Sequence, residues 1–311
     1  MDSPFHPGEQ AIQSQLGVQD RIESQGRRII RDYLLDEHRQ FFTQLSYLLV
    51  GTVDAAGCPW ASIVVGPAGF LTSPDAYTLQ IRAQPLLGDP LGYSLSNGID
   101  IGLLGIDLQT RRRNRLNGVV TDVSLDRFEI AVRQSFGNCP KYIQSRRVEF
   151  CDPTPVPKSI EPIVVFGALE QALIAAADTC FIATAYQAAS AGSARGIDVS
   201  HRGGKPGFVR IDDDRTLTLP DFSGNLYFNT FGNLALNPLA GLLFINFSQG
   251  DVLCLTGRAE VIWEGPEVMA YVGAERLLRF HLDRGCRVER SLPLRWSEPI
   301  FSPYLDRMGQ G

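Results

Sequence analysis

"GLLGIDLQTRRRNRLNGVV", residues 102–120, has a partner far along the chain, "GLLFINFSQGDVLCLTGRAEV", residues 241–261. Each begins Gly-Leu-Leu, and in each a second glycine follows 16 residues later, Gly118 and Gly257, two residues after a leucine. Upstream, "AGFLTSPDAYTLQI" (68–81) matches "PGFVRIDDDRTLTL" (206–219) through Gly69-Phe70 and Gly207-Phe208. The interval from that Gly-Phe to Gly-Leu-Leu is 33 residues in one half and 34 in the other. Matched residues at a kept spacing read as two copies of one supersecondary unit.

The unit is β. "SYLLVGTVD", "PWASIVVG", "AYTLQIRA" and "IDIGLLGIDL" are short β-branched-rich runs separated by Gly, Pro and Asp, as are "CFIATAY", "PGFVRI", "TLTLPD", "AGLLFINF" and "VLCLTGRAEVIW". Such spacing points to a mainly β fold with flanking helices, each unit closing a small barrel that hides its strand edges. Residues 1–45 carry apolar side chains at helical spacing, and further helices are expected near 164–178 and 266–283. "CDPTPVPKSIEPI", 151–163, holds four prolines and reads as a linker. The expected organisation is therefore a helical segment at 1–45, a first unit at 46–150 and a second at 164–311.

Composition narrows the function. A hydrophobic share of 44% and a charged share of 20% are those of a globular protein, and a net charge of -5 argues against a nucleic-acid partner. "MDSPFHPGEQAIQSQ" lacks the apolar stretch of a signal peptide, and no 18-residue apolar run suggests a membrane helix, so the cytoplasm is the default expectation. The six cysteines form no C-x-x-C pair and the four histidines sit away from them, which leaves no metal site and mostly buried free thiols. Cys139, in "SFGNCPKYI", alone has a polar, glycine-flanked setting, either a turn anchored by Pro140 or a functional thiol.

"SHRGGKPGF", 200–208, combines glycines with cationic side chains, a composition suited to phosphate. It matches neither the P-loop nor the dinucleotide fingerprint, and it leads into a strand rather than a helix. What remains is a backbone-accessible loop with Ser200, Arg202 and Lys205 as donors, or a solvated glycine turn. Downstream, "TLTLPDFSGNLYFNTFGNLALNPLAGLLFI" (216–245) places Asn229, Thr230 and Asn233 on a short helix. Asn favours helix ends over interiors, so the cluster reads as an anion-facing helix start or as capping with a buried network.

With those motifs in place the chain resembles the pyridoxamine 5'-phosphate oxidase-related FMN-binding split-barrel proteins. The resemblance is carried by "IDVSHRGGKPGFV", "PDFSGNLYFNTFGNLALNPLAGLLF" and "GDVLCLTGRA", with "TVDAAGCPWASIVVG" and "SFGNCPKYI" in the first half, and spans roughly residues 40–300. It implies an FMN site in the second unit. Ser200, Arg202 and Lys205 would hold the phosphate or ribityl chain. The backbone of Gly207, Phe208 and Val209 would face the ring, and Asp221, Asn225, Asn229 and Asn233 would complete the polar wall. Leu226 and Tyr227 stand where related proteins often carry a basic residue, and Thr230 where the oxidase has a lysine, so Arg202 or a partner residue must supply the charge.

The implied function is that of a flavoprotein oxidoreductase taking a small-molecule substrate or an external electron donor. The alternatives are a genuine pyridoxamine 5'-phosphate oxidase and a flavin carrier or sensor without turnover. No catalytic residue is assigned, because the cofactor carries hydride chemistry itself. "TRRRNR", 110–115, reads first as a solvated turn; the alternative is that its arginines reach an anion held by the other unit. The first unit lacks the "SHRGG" and "PD--GN" elements and is expected to be structural. Two units in one chain could imitate a dimer, or two chains could pair as a homodimer.

Overall fold

A computed structural model describes residues 3–151, 159–188, 192 and 194–308. Most of the proline-rich stretch lies outside the described residues.

The first half builds a seven-stranded antiparallel sheet from β1 (Tyr47–Val53), β2 (Pro59–Val65), β3 (Leu71–Thr72), β4 (Thr78–Ile81), β5 (Asp100–Asp107), β6 (Arg112–Val123) and β7 (Phe128–Gly137), in the order β2-β1-β5-β6-β7-β4-β3. After β8 (Val148–Phe150), the second half builds a second path of seven strands, to which β9 (Ile160–Ile163) adds an eighth. Its strands are β10 (Thr179–Tyr186), β11 (Gly196–Gly203), β12 (Arg210–Ile211), β13 (Thr216–Phe222), β14 (Leu239–Ile245), β15 (Val252–Ile262) and β16 (Ala274–Val288). Their order, β11-β10-β14-β15-β16-β13-β12, repeats the first sheet strand for strand. The matched glycines occupy matched places: the ladder slips at Asn117/Gly118 in β6 and at Thr256/Gly257 in β15. The mainly β, antiparallel class expected from the strand spacing is what the chain adopts.

Helices frame the sheets. The N-terminal segment folds as α1 (Pro7–Gln15), α2 (Gln19–Ile29) and α3 (Asp36–Thr43). Short α4 (Leu91–Ser94) follows β4, α5 (Ala168–Ala176) precedes β10, and α6 (Asn229–Leu236) follows β13. The helix expected over 266–283 is a correction: only α7 (Pro266–Ala270) is helical, and from Ala274 onward the chain belongs to β16. There β16 pairs with β15, β13 and β9 along its length, and those ladders outweigh the helix-like start "AERLL". Strand β17 (Leu294–Trp296) closes a small ribbon with β8.

Each sheet buries its own core, Leu48, Leu79, Leu103 and Ile130 in the first and Ile182, Leu217, Leu255 and Phe280 in the second. A third cluster joins them, with Leu49, Trp60 and Leu104 packed on Phe181, Val199 and Leu243. The two faces meet with near two-fold correspondence. Gly102 lies against β11, where an added Cβ would stand 2.3 Å from the Ile197 carbonyl oxygen. Gly241 lies against β2, where a Cβ would stand 2.5 Å from that of Pro59. Only glycine permits either approach. The Thr256 hydroxyl also donates to the Pro59 carbonyl at 2.9 Å.

Candidate functional site

Strand β6 runs along the seam between the units with Arg113 and Arg115 on one face, as the two-residue period of a strand requires. They point into a cleft whose other walls are the end of β11 (Ser200, His201, Arg202), the end of β13 with its turn (Asp221 to Leu226), the start of α6 (Asn229 to Phe231), Arg276 of β16, and the 138–142 loop. The cleft encloses about 890 Å³, counting the part open to solvent. Arg113, Arg115, Lys141, Arg202 and Arg276 line it against the carboxylates of Asp221 and Glu275.

Two networks organise these groups. Arg115 pairs with Asp198, donates through Nη1 to Asn229 Oδ1 at 2.7 Å and through Nη2 to Ser200 Oγ at 2.6 Å. Ser200 donates on to Asp198 Oδ2 at 3.0 Å and accepts from Thr230 at 3.2 Å. On the opposite wall Asp221 pairs with Arg202 and stands 3.6 Å from Arg276, which also pairs with Glu275. Arg202 lies over the Phe231 ring at 5.0 Å and Arg276 over Phe228 at 5.0 Å, so both guanidinium planes are held by aromatic faces.

Between the networks are polar atoms with no partner among the described residues. Arg113 Nε, Arg115 Nε and His201 Nε2 are buried and unbonded. Burial, with Arg115 and Arg202 nearby, pushes the Arg113 guanidinium down to about 10. Burial and the surrounding arginines hold His201 well below its ordinary range, so its imidazole is neutral at pH 7. Leaving such donors unsatisfied costs about 1–3 kcal/mol each, more for a charged group. Three non-glycine residues of the lining, Tyr142, Leu226 and Phe228, hold left-handed backbone at φ 63°, 63° and 62°. Strain of this kind, on the order of 1–3 kcal/mol per residue, collects at ligand sites.

Of the residues picked from sequence, Ser200, Arg202, Asp221, Asn225 and Asn229 come together in the cleft. Asn225 bridges the units by donating to Asn138 Oδ1 at 3.1 Å. Asn233 lies beneath, donating to Thr184 at 3.0 Å. Lys205, Gly207, Phe208 and Val209 stand outside the lining. Beyond β11 the chain turns back, the Phe208 amide donating to the Lys205 carbonyl at 2.9 Å, with Gly207 at φ 86° and the Phe208 and Val209 side chains buried in the second core. The "TRRRNR" segment divides. Arg111 and Arg112 bond backbone carbonyls at the surface, whereas Arg115 bonds Ser200 and Asn229 of the second unit and Arg113 lines the cleft beside them. Arg276 had no signal in the sequence, because it lies where a helix was expected. Cys139 lines the cleft, and of the six free cysteines only Cys180 and Cys254 are fully buried, fewer than expected.

No family model matches the chain, and no curated protein matches it. Solved structures do. This chain is similar to HupZ of Group A Streptococcus, at 17% identity over 38% of this chain and 89% of that one, TM-score 0.29. It is similar to a Lactobacillus delbrueckii protein provisionally described as a pyridoxamine 5'-phosphate oxidase, at 11% identity over 40% and 94%, TM-score 0.30. It is similar to a FAD-binding protein of Mesorhizobium loti, at 14% identity over 42% and 97%, TM-score 0.28. Among the described residues no helix is long and apolar enough to cross a membrane, and no three metal-type side chains cluster.

Proposed function

We propose that this chain is an FMN-binding flavoprotein of the pyridoxamine 5'-phosphate oxidase-related split-barrel kind, with its flavin phosphate in the cleft between the units. One observation carries the reading: arginines from both units converge on a cleft where the Nε donor of Arg113 is buried without a partner and the Nε2 of His201 is likewise unbonded. The residues fit the group. Arg113, Arg202 and Arg276 would hold the phosphate as charged forks, Ser200 and Thr230 would bond its oxygens or the ribityl chain, and the αL turn at Leu226–Phe228 would shape the wall. When bound, the flavin supplies two-electron transfer chemistry. The protein's share is to bind, orient and exclude water, and neutral His201 lines the cleft without adding charge. The finer reading is a cytoplasmic oxidoreductase served by an external electron donor. The matched strand order, ladder slips and interface glycines further support a duplicated unit.

Titration of the purified protein with FMN and with riboflavin tests the proposal. Quenching of FMN fluorescence at micromolar protein is expected, with riboflavin binding at least tenfold more weakly because it lacks the phosphate. Equal affinity for the two, or no binding of either, defeats it.

A further inference from the structure

We infer that Glu9, brought by the N-terminal helix α1, is a positioning residue of this cleft, holding Asn229 toward Arg115 and setting the charge that an anion meets there. The inference rests on the phosphate reading above. Helix α1 reaches the site through a glycine contact: an added Cβ on Gly8 would stand 2.1 Å from the Gly232 carbonyl of α6. That approach buries Glu9 to 4% exposure. Its Oε2 accepts from the His6 amide at 2.8 Å and its Oε1 accepts from the Asn229 amide. Asn229 is thereby oriented, its NH2 on the carboxyl and its oxygen on Arg115.

The groups facing Glu9 come from four elements. From α1, His6 has Nε2 at 3.6 Å from Oε2, and burial pushes that imidazole down to about 4, so it is neutral. From α6 comes uncharged Asn229, from β11 the Asp198 carboxylate and from β6 the Arg115 guanidinium. Burial dominates and Asp198 adds to it, against the hydrogen bonds and Arg115, and the Glu9 carboxyl is pushed up to about 8. With Glu9 neutral, the cleft and Asp198 together carry two more positive charges than negative. Ionised Glu9 removes one of them. A phosphate monoester is a dianion well above its second pKa of about 6, so anion binding and Glu9 protonation support each other.

The experiment is FMN titration from pH 7.5 to 9.5 at constant ionic strength, on the protein and on Glu9→Gln. The wild-type affinity should fall on the order of tenfold across that range, while that of Glu9→Gln should stay level. Parallel profiles overturn the inference, and so does a level wild-type profile. A purely structural role would shift unfolding but not separate the two profiles. Should neither protein bind FMN at pH 7.5, the flavin reading falls, and calorimetry with inorganic phosphate repeats the same comparison for the anion itself. Should Glu9→Gln not fold, wild-type titrations at pH 8.5 in two buffers of different ionisation enthalpy decide. Uptake of more than about half a proton supports the inference, and none refutes it.

Discussion

Arg113 and Arg115 sit two residues apart on one face of β6 and do opposite things for the fold. Arg115 neutralises Asp198, both being almost fully buried. Arg115→Ala would strand that carboxylate and should cost about 3–5 kcal/mol, read as a lower urea midpoint. Arg113 has a buried Nε without a partner, so Arg113→Ala should leave stability unchanged or raise it while weakening FMN at least tenfold. Urea melts and flavin titrations on both variants check the contrast. His6 and Glu9 give stability a pH signature. Unfolded Glu9 loses its proton near 4.5 and folded Glu9 near 8, so its contribution is complete below 4.5 and is lost as pH rises to 8. For His6 the sign reverses, its contribution being present above 6.5 and lost as pH falls toward 4. The stability gap between Glu9→Gln and wild type should therefore widen from pH 5 to 8 and level off beyond, in denaturant midpoints taken at pH 5, 7 and 9.

At the scale of elements, the sequence announced strands and turns well, because each strand run is bounded by Gly, Pro or Asp. It also announced the polar start of α6. The start of the 274–288 strand was hidden, since "AERLL" reads as helix; beyond it Leu278, Phe280 and Leu282 alternate with Arg279, His281 and Asp283 as a strand requires, and three neighbouring ladders fix the whole length. Arg276 was hidden with it. The cleft residues of β6 were visible as a basic run, but only the seam between the sheets says which of them turn inward. The role of α1 was invisible for the same reason: Gly8 and Gly232 lie far apart in sequence, and neither sits in a turn motif. Gly8→Ala forces that helix pair apart and should cost about 1–3 kcal/mol. Limited proteolysis should then cut within α1 or α2 before global unfolding, and an unchanged pattern would contradict the docking described for α1.

For the whole molecule, the near two-fold arrangement raises the question of a second cleft on the other side. By the offset of the matched segments, Ser62, Ile63 and Val64 stand where Ser200, His201 and Arg202 do, and Val252 and Cys254 stand where Arg113 and Arg115 do. Ile63, Val64, Val252 and Cys254 are all buried core. One FMN per chain is therefore expected at saturation, and a titration ending at two would contradict this account. The glycine contacts at Gly102 and Gly241 add a consequence. In a pair of identical subunits every substitution is felt at both symmetry-related positions, so neither side can be sacrificed to help the other. Joined in one chain, the two sides vary separately. A change that fills the space beside Trp60 leaves the arginines beside Ser200 untouched, which frees one side of the seam to act as cement and the other to keep an opening.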